Sequence, residues 1–158
     1  MSISPDEFRA ALGNFASGVT VVTTIDAGGH LHGITVSAFC SVSLEPPLIL
    51  VCIDKTAFSH PAFEIGRFFV VNVLREDQAH LSNHFATPFA DKFDHIDYRT
   101  GITGVPVLEN ALVSLECRLV LAHEGGDHTI FVGEIESAII NEGRPLVYYN
   151  GDYRSLKD

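Results

Sequence analysis

The chain begins with a short amphipathic helix pattern and then changes to patterns typical of β-strands. Ser4 can cap a helix, and Glu7 stands where a capping box needs an acidic residue. Phe8 and Leu12 fall four residues apart on one helical face, and we expect Gly18 to end the helix. Phe15 extends the same face, so the N-terminal segment predicts one helix with a single apolar face.

Most of the remaining apolar segments are short and either β-branched or alternating. Strands are predicted over residues 19–25, 31–39, 48–53, 67–74, 111–123, 129–140 and 146–149. Helical patterns cover only residues 58–65 and 76–86 besides the first helix, and residues 87–106 suggest an irregular loop. Six or seven strands with so few helices predict a mainly β fold, a small antiparallel barrel.

The length and composition favour one globular domain over residues 1–158. A net charge of −10 argues against a nucleic-acid partner, since the surface repels a phosphate backbone. No apolar stretch approaches the ~20 residues that span a bilayer, and the first residues lack the features of a signal peptide. Cys40, Cys52 and Cys117 are widely spaced and odd in number, which indicates reduced thiols and a cytoplasmic location.

Small hydroxyl side chains are concentrated between two predicted strands, in residues 33–43. Thr35, Ser37, Ser41 and Ser43 have even spacing, so in an extended chain they would share a face. Such a row suits the polar edge of a planar heterocycle or a phosphate. It also suits the solvated face of an edge strand, and the residues alone leave both interpretations open.

Two further segments could carry chemistry. Asp54-Lys55-Thr56 follows a buried strand, so Lys55 could bind a phosphate or belong to a solvated turn. His128 stands where a loop meets a strand, and its imidazole could orient a cofactor amide, carry a proton or be structural.

Other common sites are not indicated. The one pair of histidines four residues apart, His80 and His84, is weak evidence for a metal site. The sequence contains no P-loop, no nucleophile elbow and no GxGxxG dinucleotide motif. A nicotinamide cofactor would therefore bind without a Rossmann fingerprint.

Taken together, these segments resemble the flavin reductase-like family, the FMN-binding split barrels that serve two-component monooxygenases. The resemblance extends from Phe8 to Leu156. It rests on the segments FASGVTVVTT (15–24), SAFCSVSLEPPL (37–48), DKF (91–93), GVPVL (104–108), GDHTIFVGE (126–134) and PLVYY (145–149).

The resemblance implies a homodimer of split β-barrels that uses NADH or NADPH to reduce FMN or FAD and supplies a partner oxygenase. The residues implied to line the isoalloxazine ring and ribityl chain are Thr35, Val36, Ser37, Ala38, Ser41 and Val42. Those implied near the ring edge or the phosphate are Asp54, Lys55, Thr56, Ser82 and Asn83. His128 is implied to contact the nicotinamide cofactor as an orienting or proton-handling group, with Tyr153 and Arg154 as further candidates.

Three alternatives remain at this point. A flavin-binding or electron-transfer protein with the same barrel would bind FMN without oxidising NAD(P)H. A pyridoxamine-phosphate-oxidase-like protein shares the architecture but should need more than the ten basic residues present. An interaction module without a ligand would ignore added flavin.

Overall fold

A computed structural model describes residues 2–89 and 91–157, in which three helices and twelve strands are found. The helices are α1 (Pro5–Leu12), α2 (His60–Ile65) and α3 (Ala79–Ala86). The strands are β1 (Ser17–Gly18), β2 (Thr20–Ile25), β3 (Leu31–Val36), β4 (Phe39–Ser43), β5 (Leu48–Asp54), β6 (Phe68–Val73), β7 (Tyr98–Thr100), β8 (Pro106–Leu108), β9 (Val113–Gly125), β10 (His128–Ile140), β11 (Val147–Tyr149) and β12 (Asp152–Arg154).

Seven strands form the main sheet, in the order β3-β2-β6-β9-β10-β5-β4, and every neighbouring pair is antiparallel. Buried side chains from β2, β3, β5, β6, β9 and β10 pack in one cluster, so the sheet curves around a shared core. Val22, Phe69 and Phe131 are central members of that cluster. The predicted mainly β, antiparallel barrel of six or seven strands is confirmed, with seven strands in the main sheet.

A second core cluster lies between α3 and the three-stranded sheet β1-β11-β12. Phe85 of α3 and Leu74, just after β6, are fully buried there, and Tyr153 of β12 packs against them. This cluster joins the end of the chain to α3. The region that follows α3, predicted to be an irregular loop, contains the short pair β7 and β8.

The N-terminal capping box is present: Glu7 N donates to Ser4 Oγ and Ser4 N donates to Glu7 Oε2. The prediction that Gly18 ends this helix is wrong. The helix ends at Leu12, where Gly13 N bonds to Arg9 O at 2.8 Å, and Gly18 instead pairs with Val147 in the small sheet. The helix thus ends at the nearer glycine, and a strand partner from the far end of the chain gives Gly18 its place in a sheet.

In residues 2–89 and 91–157, no helix has the length and apolar character required to cross a bilayer.

Candidate functional site

Five of the predicted site residues meet in one cavity of about 270 Å³, here called the hydroxyl cavity. They are Thr35, Ser37, Ser82, Asn83 and Tyr153. Val19, Ala86 and Tyr148 complete its lining. The cavity thus joins the end of β3, the middle of α3 and the last strand, β12.

Hydrogen bonds hold these polar groups in place. Thr35 Oγ1 donates to the backbone oxygen of Ser82 at 2.6 Å. The Tyr153 hydroxyl lies 2.7 Å from Ser82 Oγ and 2.9 Å from Asn83 Oδ1. Because a phenol carries one proton, Tyr153 can donate to Asn83 while it accepts from Ser82. The tyrosine therefore links two residues of α3 that sequence resemblance assigns to the flavin phosphate.

Close approach of β3 and α3 creates this cavity. A Cβ atom on Gly33 would stand 2.6 Å from the ring of Phe85, so only glycine allows the helix to lie so near the strand. Lys92 bridges the same seam, since its Nζ donates to Gly33 O at 3.0 Å and to Phe85 O at 2.7 Å. Burial lowers the pKa of Lys92. Lys92 belongs to the DKF segment that carries the family resemblance, but its bridging role is seen only in the structure.

The other predicted polar residues gather around the β9–β10 connection, residues 124–128, here called the histidine turn. Gly126 adopts a φ of +76°, which favours glycine at this tight reversal. His128 begins β10 and pairs with Asp54 on the neighbouring strand. Its Nδ1 lies 2.7 Å from a carboxylate oxygen of Asp127, so the side chain before it orients the ring.

Lys55 binds the histidine turn with both its backbone and its side chain. Its N–H donates to Asp127 O at 2.9 Å, and its Nζ donates to Gly126 O at 2.8 Å. The Nζ also forms an ion pair with Glu124, which holds the pKa of that carboxyl below its usual range. The ammonium predicted to meet a phosphate is therefore already paired, and a phosphate would have to compete with Glu124.

Asp54 and Thr56 form a local turn beside this lysine. Asp54 Oδ1 accepts from both the hydroxyl and the N–H of Thr56, each at 2.7 Å. These hydrogen bonds lower the pKa of Asp54. The carboxylate is thus ionised at neutral pH, which makes it a hydrogen-bond acceptor at the rim of the sheet.

A cavity of about 710 Å³ opens between α1 and the start of β10, and it is called here the histidine cavity. Phe8, Arg9, Cys52, His128 and Ile130 are among the residues that line it. Burial raises the pKa of the Cys52 thiol, so at neutral pH this group is a neutral thiol and not a nucleophilic thiolate. His128 contributes an imidazole to this lining, and its ring nitrogens can donate or accept a hydrogen bond.

Of the six residues implied to line the isoalloxazine ring and ribityl chain, four lie in neither cavity. The Val36 side chain belongs to the barrel core, and its backbone oxygen accepts from Thr20 Oγ1 at 2.6 Å. The Ala38 backbone oxygen accepts from Cys52 N. Ser41 and Val42 are exposed on the edge strand β4.

The even hydroxyl spacing does not produce one shared face, so that prediction is wrong. The chain leaves β3 after Val36, and β4 begins only at Phe39. The pairing of β4 with β5 also shifts between Ser41 and Ser43. Because alternation holds only within an uninterrupted strand, Thr35 and Ser37 reach the hydroxyl cavity while Ser41 does not.

Arg154, the weakest candidate, forms an ion pair with Asp152 at 2.9 Å on β12. Within residues 2–89 and 91–157, no group of three or more His, Cys, Asp or Glu side chains is arranged to hold a metal ion. The roles assigned to individual site residues stay predictions.

Comparison with known proteins identifies the family. The family described as "Flavin reductase like domain" matches residues 12–157. The reductase subunit HsaB of a flavin-dependent monooxygenase from Rhodococcus jostii is 41% identical over 157 residues, which cover 99% of this chain and 80% of that protein. An NADH-dependent flavin reductase from a Rhodococcus species is 43% identical, and the match covers 98% of this chain and 88% of that protein.

A solved structure gives the same result. The NADH:FAD oxidoreductase SgcE6 of Streptomyces globisporus, in complex with NAD and FAD fragments, superposes with a TM-score of 0.92 at 35% identity. The match covers 99% of this chain and 97% of that one. The family assignment made from the sequence segments is thereby confirmed: the chain belongs to the flavin reductase-like family.

Proposed function

We propose that the protein is an NAD(P)H-dependent flavin reductase that transfers a hydride to N5 of FMN or FAD and supplies the reduced flavin to a partner monooxygenase. The family match and the relatives described as NADH-dependent flavin and FMN reductases confirm the oxidoreductase class and its two kinds of cofactor. Relatives described as reductase components of monooxygenases support the oxygenase partner.

The hydroxyl cavity is the observation that carries this proposal at the level of residues. Its volume of about 270 Å³ is just below the ~300–1,000 Å³ of typical ligand pockets, so it suits part of a flavin and not the whole molecule. Hydroxyl and amide groups are its polar lining, and these match the hydroxyls and phosphate oxygens of a ribityl phosphate chain. Thr35, Ser82, Asn83 and Tyr153 would hold that chain.

His128 is the residue proposed to bind the nicotinamide. When Nδ1 carries the proton donated to Asp127, the neutral ring presents a lone pair on Nε2. That nitrogen can accept a hydrogen bond from a carboxamide N–H. The side chain is 39% exposed and lines a cavity of about 710 Å³, so a ligand can reach it.

The two cofactors supply the chemistry themselves, a hydride passing from nicotinamide C4 to flavin N5. The protein's own part is to bind and orient. Residues of the hydroxyl cavity hold polar groups, Asp127 fixes the tautomer of His128, and Lys55 fixes the turn that carries both. Because no protein nucleophile takes part, His128 acts as an orienting or proton-handling group.

We also propose that two copies of the chain form the working unit and complete the flavin site between them. Exposed apolar side chains support self-association. Some lie on α1 and just after it, and others lie on β4 and in the turn that follows β4. They are Phe8, Leu12, Phe15, Val42 and Leu44, each between 50% and 84% exposed. β4 is an edge strand of the main sheet and carries the predicted ring-lining residues Ser41 and Val42. The cytoplasm is the proposed compartment, in keeping with three free cysteines.

The decisive experiment follows absorbance at 340 nm with NADH and NADPH, each combined with FMN, FAD and riboflavin. We expect steady consumption of at least one reduced nucleotide that depends on added flavin. A protein that binds flavin but oxidises neither nucleotide would be an electron-transfer protein and would overturn the proposal. Size-exclusion chromatography with light scattering tests the dimer, and a monomer at working concentrations would contradict that part.

A further inference from the structure

A buried histidine lies directly behind the strand that carries His128. His60 begins α2 and is only 5% exposed. Its Nε2 stands 2.8 Å from the hydroxyl oxygen of Thr129, which is equally buried. The ring also packs against Phe131, with 5.8 Å between ring centroids. The imidazole is therefore fixed against the inner face of β10.

The first residues of β10 alternate between that inner face and the histidine cavity. Thr129 and Phe131 are buried, whereas His128 and Ile130 are partly exposed and line the cavity. Because successive side chains of a strand point to opposite faces, a contact at Thr129 fixes the backbone from which His128 projects. His60 thus acts on His128 from the opposite side of the strand.

The proton positions in this contact follow from the second nitrogen of the ring. His60 Nδ1 faces the Glu64 carboxylate at 3.9 Å, one helical turn further along α2. A proton on Nδ1 is favoured by that carboxylate, which leaves Nε2 as the acceptor for the Thr129 hydroxyl. In that tautomer the Thr129 hydroxyl donates to His60 Nε2.

Two attachments therefore hold the histidine turn and the start of β10 to the segment that follows β5. The outer one joins Lys55 to Gly126, Asp127 and Glu124, and the Lys55–Glu124 ion pair is exposed to solvent. The inner one joins His60 to Thr129 and is shielded from solvent. A shielded hydrogen bond is less weakened by water and salt than an exposed ion pair, so the inner attachment sets the position of the strand more firmly.

We propose that His60 is a positioning residue for nicotinamide binding. Through the Thr129 hydroxyl it fixes the start of β10 and with it the orientation of the His128 ring. The inference rests on the proposed reductase function, in which His128 contacts the nicotinamide. It predicts that the contact between His60 and Thr129 affects the affinity for NAD(P)H and leaves flavin binding at the hydroxyl cavity unchanged.

The main test compares Thr129→Val with Thr129→Ser. Valine keeps the shape and strand preference of threonine but removes the hydroxyl, while serine keeps the hydroxyl. We expect Thr129→Val to raise the KM for the reduced nucleotide about five-fold, the loss of one hydrogen bond worth about 1 kcal/mol. The flavin KM and kcat should stay unchanged, and Thr129→Ser should behave like the wild type.

A double-mutant cycle separates positioning from a general effect on the barrel. In a His128→Ala background, Thr129→Val should raise the nucleotide KM no further, because the residue being positioned is gone. An equal five-fold rise in both backgrounds would overturn the proposal. His60→Phe keeps a ring against Phe131 without either nitrogen, and it should reproduce the effect of Thr129→Val.

An NMR measurement tests the positioning without cofactors or turnover. The ring resonances of His128 in cofactor-free protein should shift in Thr129→Val and in His60→Phe, and should stay in place in Thr129→Ser. Unmoved His128 resonances in both of the first two variants, each with a native-like melting transition, would overturn the proposal. If the wild-type protein oxidises no NAD(P)H while the two variants show the expected shifts, the reductase function is contradicted and the structural coupling between His60 and His128 is supported.

Discussion

The hydroxyl cavity and the histidine turn are built in opposite ways. The cavity is assembled from three distant segments, and the hydrogen bonds that close it join residues 47 and 71 positions apart. The histidine turn is one continuous hairpin connection, attached to the end of the adjacent strand β5 by charged and polar groups. The cavity exists only where its three segments pack together, whereas the turn is itself a local reversal, which bonds from Lys55, 69 and 71 positions away, attach to the end of β5.

This contrast indicates whether a substitution should change the stability of the protein or its ligand binding. A change at the hydroxyl cavity disturbs the packing of α3 on the barrel and therefore the free energy of unfolding. A change at the histidine turn leaves the core intact and alters only what the turn presents to a ligand. The predictions that follow test this division from the largest expected effect to the smallest.

Gly33→Ala should produce the largest loss of stability. The added Cβ would lie 2.6 Å from the Phe85 ring, which is fully buried and cannot move away without disturbing α3. Overpacking of this kind costs about 1–3 kcal/mol, so urea unfolding should show a clearly lower midpoint. Gly18→Ala is the matched control, since nothing lies within 4 Å of its Cβ position. Equal stability of the two variants would contradict the close-packed seam.

His128→Ala should leave the free energy of unfolding nearly unchanged and weaken the binding of the reduced nucleotide. We expect its KM to rise about ten-fold, which corresponds to about 1.4 kcal/mol of lost binding, with an unchanged KM for flavin. His123→Ala, an exposed histidine on the same hairpin, is the control. If both kinetic constants of His128→Ala equal those of the wild type, the histidine is not part of the site.

Tyr153→Phe should weaken the binding of flavin more than the binding of the nucleotide. The change removes the hydroxyl that links Ser82 and Asn83, so the KM or Kd for flavin should rise about five-fold, the equivalent of one hydrogen bond. Fluorescence titration with FMN and FAD measures it, with Tyr149→Phe on the neighbouring strand as control. A selective rise in the nucleotide KM instead would assign Tyr153 to the other ligand.

Glu124→Gln should have the smallest effect, and that effect should depend on pH. The pKa of Glu124 is lowered by Lys55, so the ion pair stabilises the folded protein above the ordinary glutamate pKa of 4.5 and its contribution is lost as pH falls further. The melting temperatures of variant and wild type should therefore differ slightly at neutral pH and converge in acid. A difference that grows as the pH falls would show that the ion pair is not its cause.

The sequence predicted the strands of the barrel well because their hydrophobic patterns are local. Residues 48–53 and 129–140, for example, are strands within one or two residues of their predicted limits. The strand role of Gly18 could not be predicted, because its partner Val147 comes from a distant part of the chain, although Gly13 was a local signal for the end of α1. The role of Lys92 was equally hidden, since its two carbonyl acceptors belong to separate elements.

The site residues show the same limit. The GDHT segment indicated the histidine turn, because both the reversal and His128 are contained in adjacent residues. Resemblance named Ser82 and Asn83, but only the folded chain shows that Tyr153 joins them. His60 gave no signal in the sequence, since its partner Thr129 lies 69 positions away.

The bond from Tyr153 to Ser82 also has a consequence for biosynthesis. During translation, Ser82 leaves the ribosome 71 residues before Tyr153 does. A nascent chain that has already emerged through β10 can close the seven-stranded sheet, yet it still lacks the strand that organises α3. A ribosome-bound chain at that stage would have its barrel but no finished hydroxyl cavity, so any ligand held by that cavity would bind in the last moments of synthesis or after it.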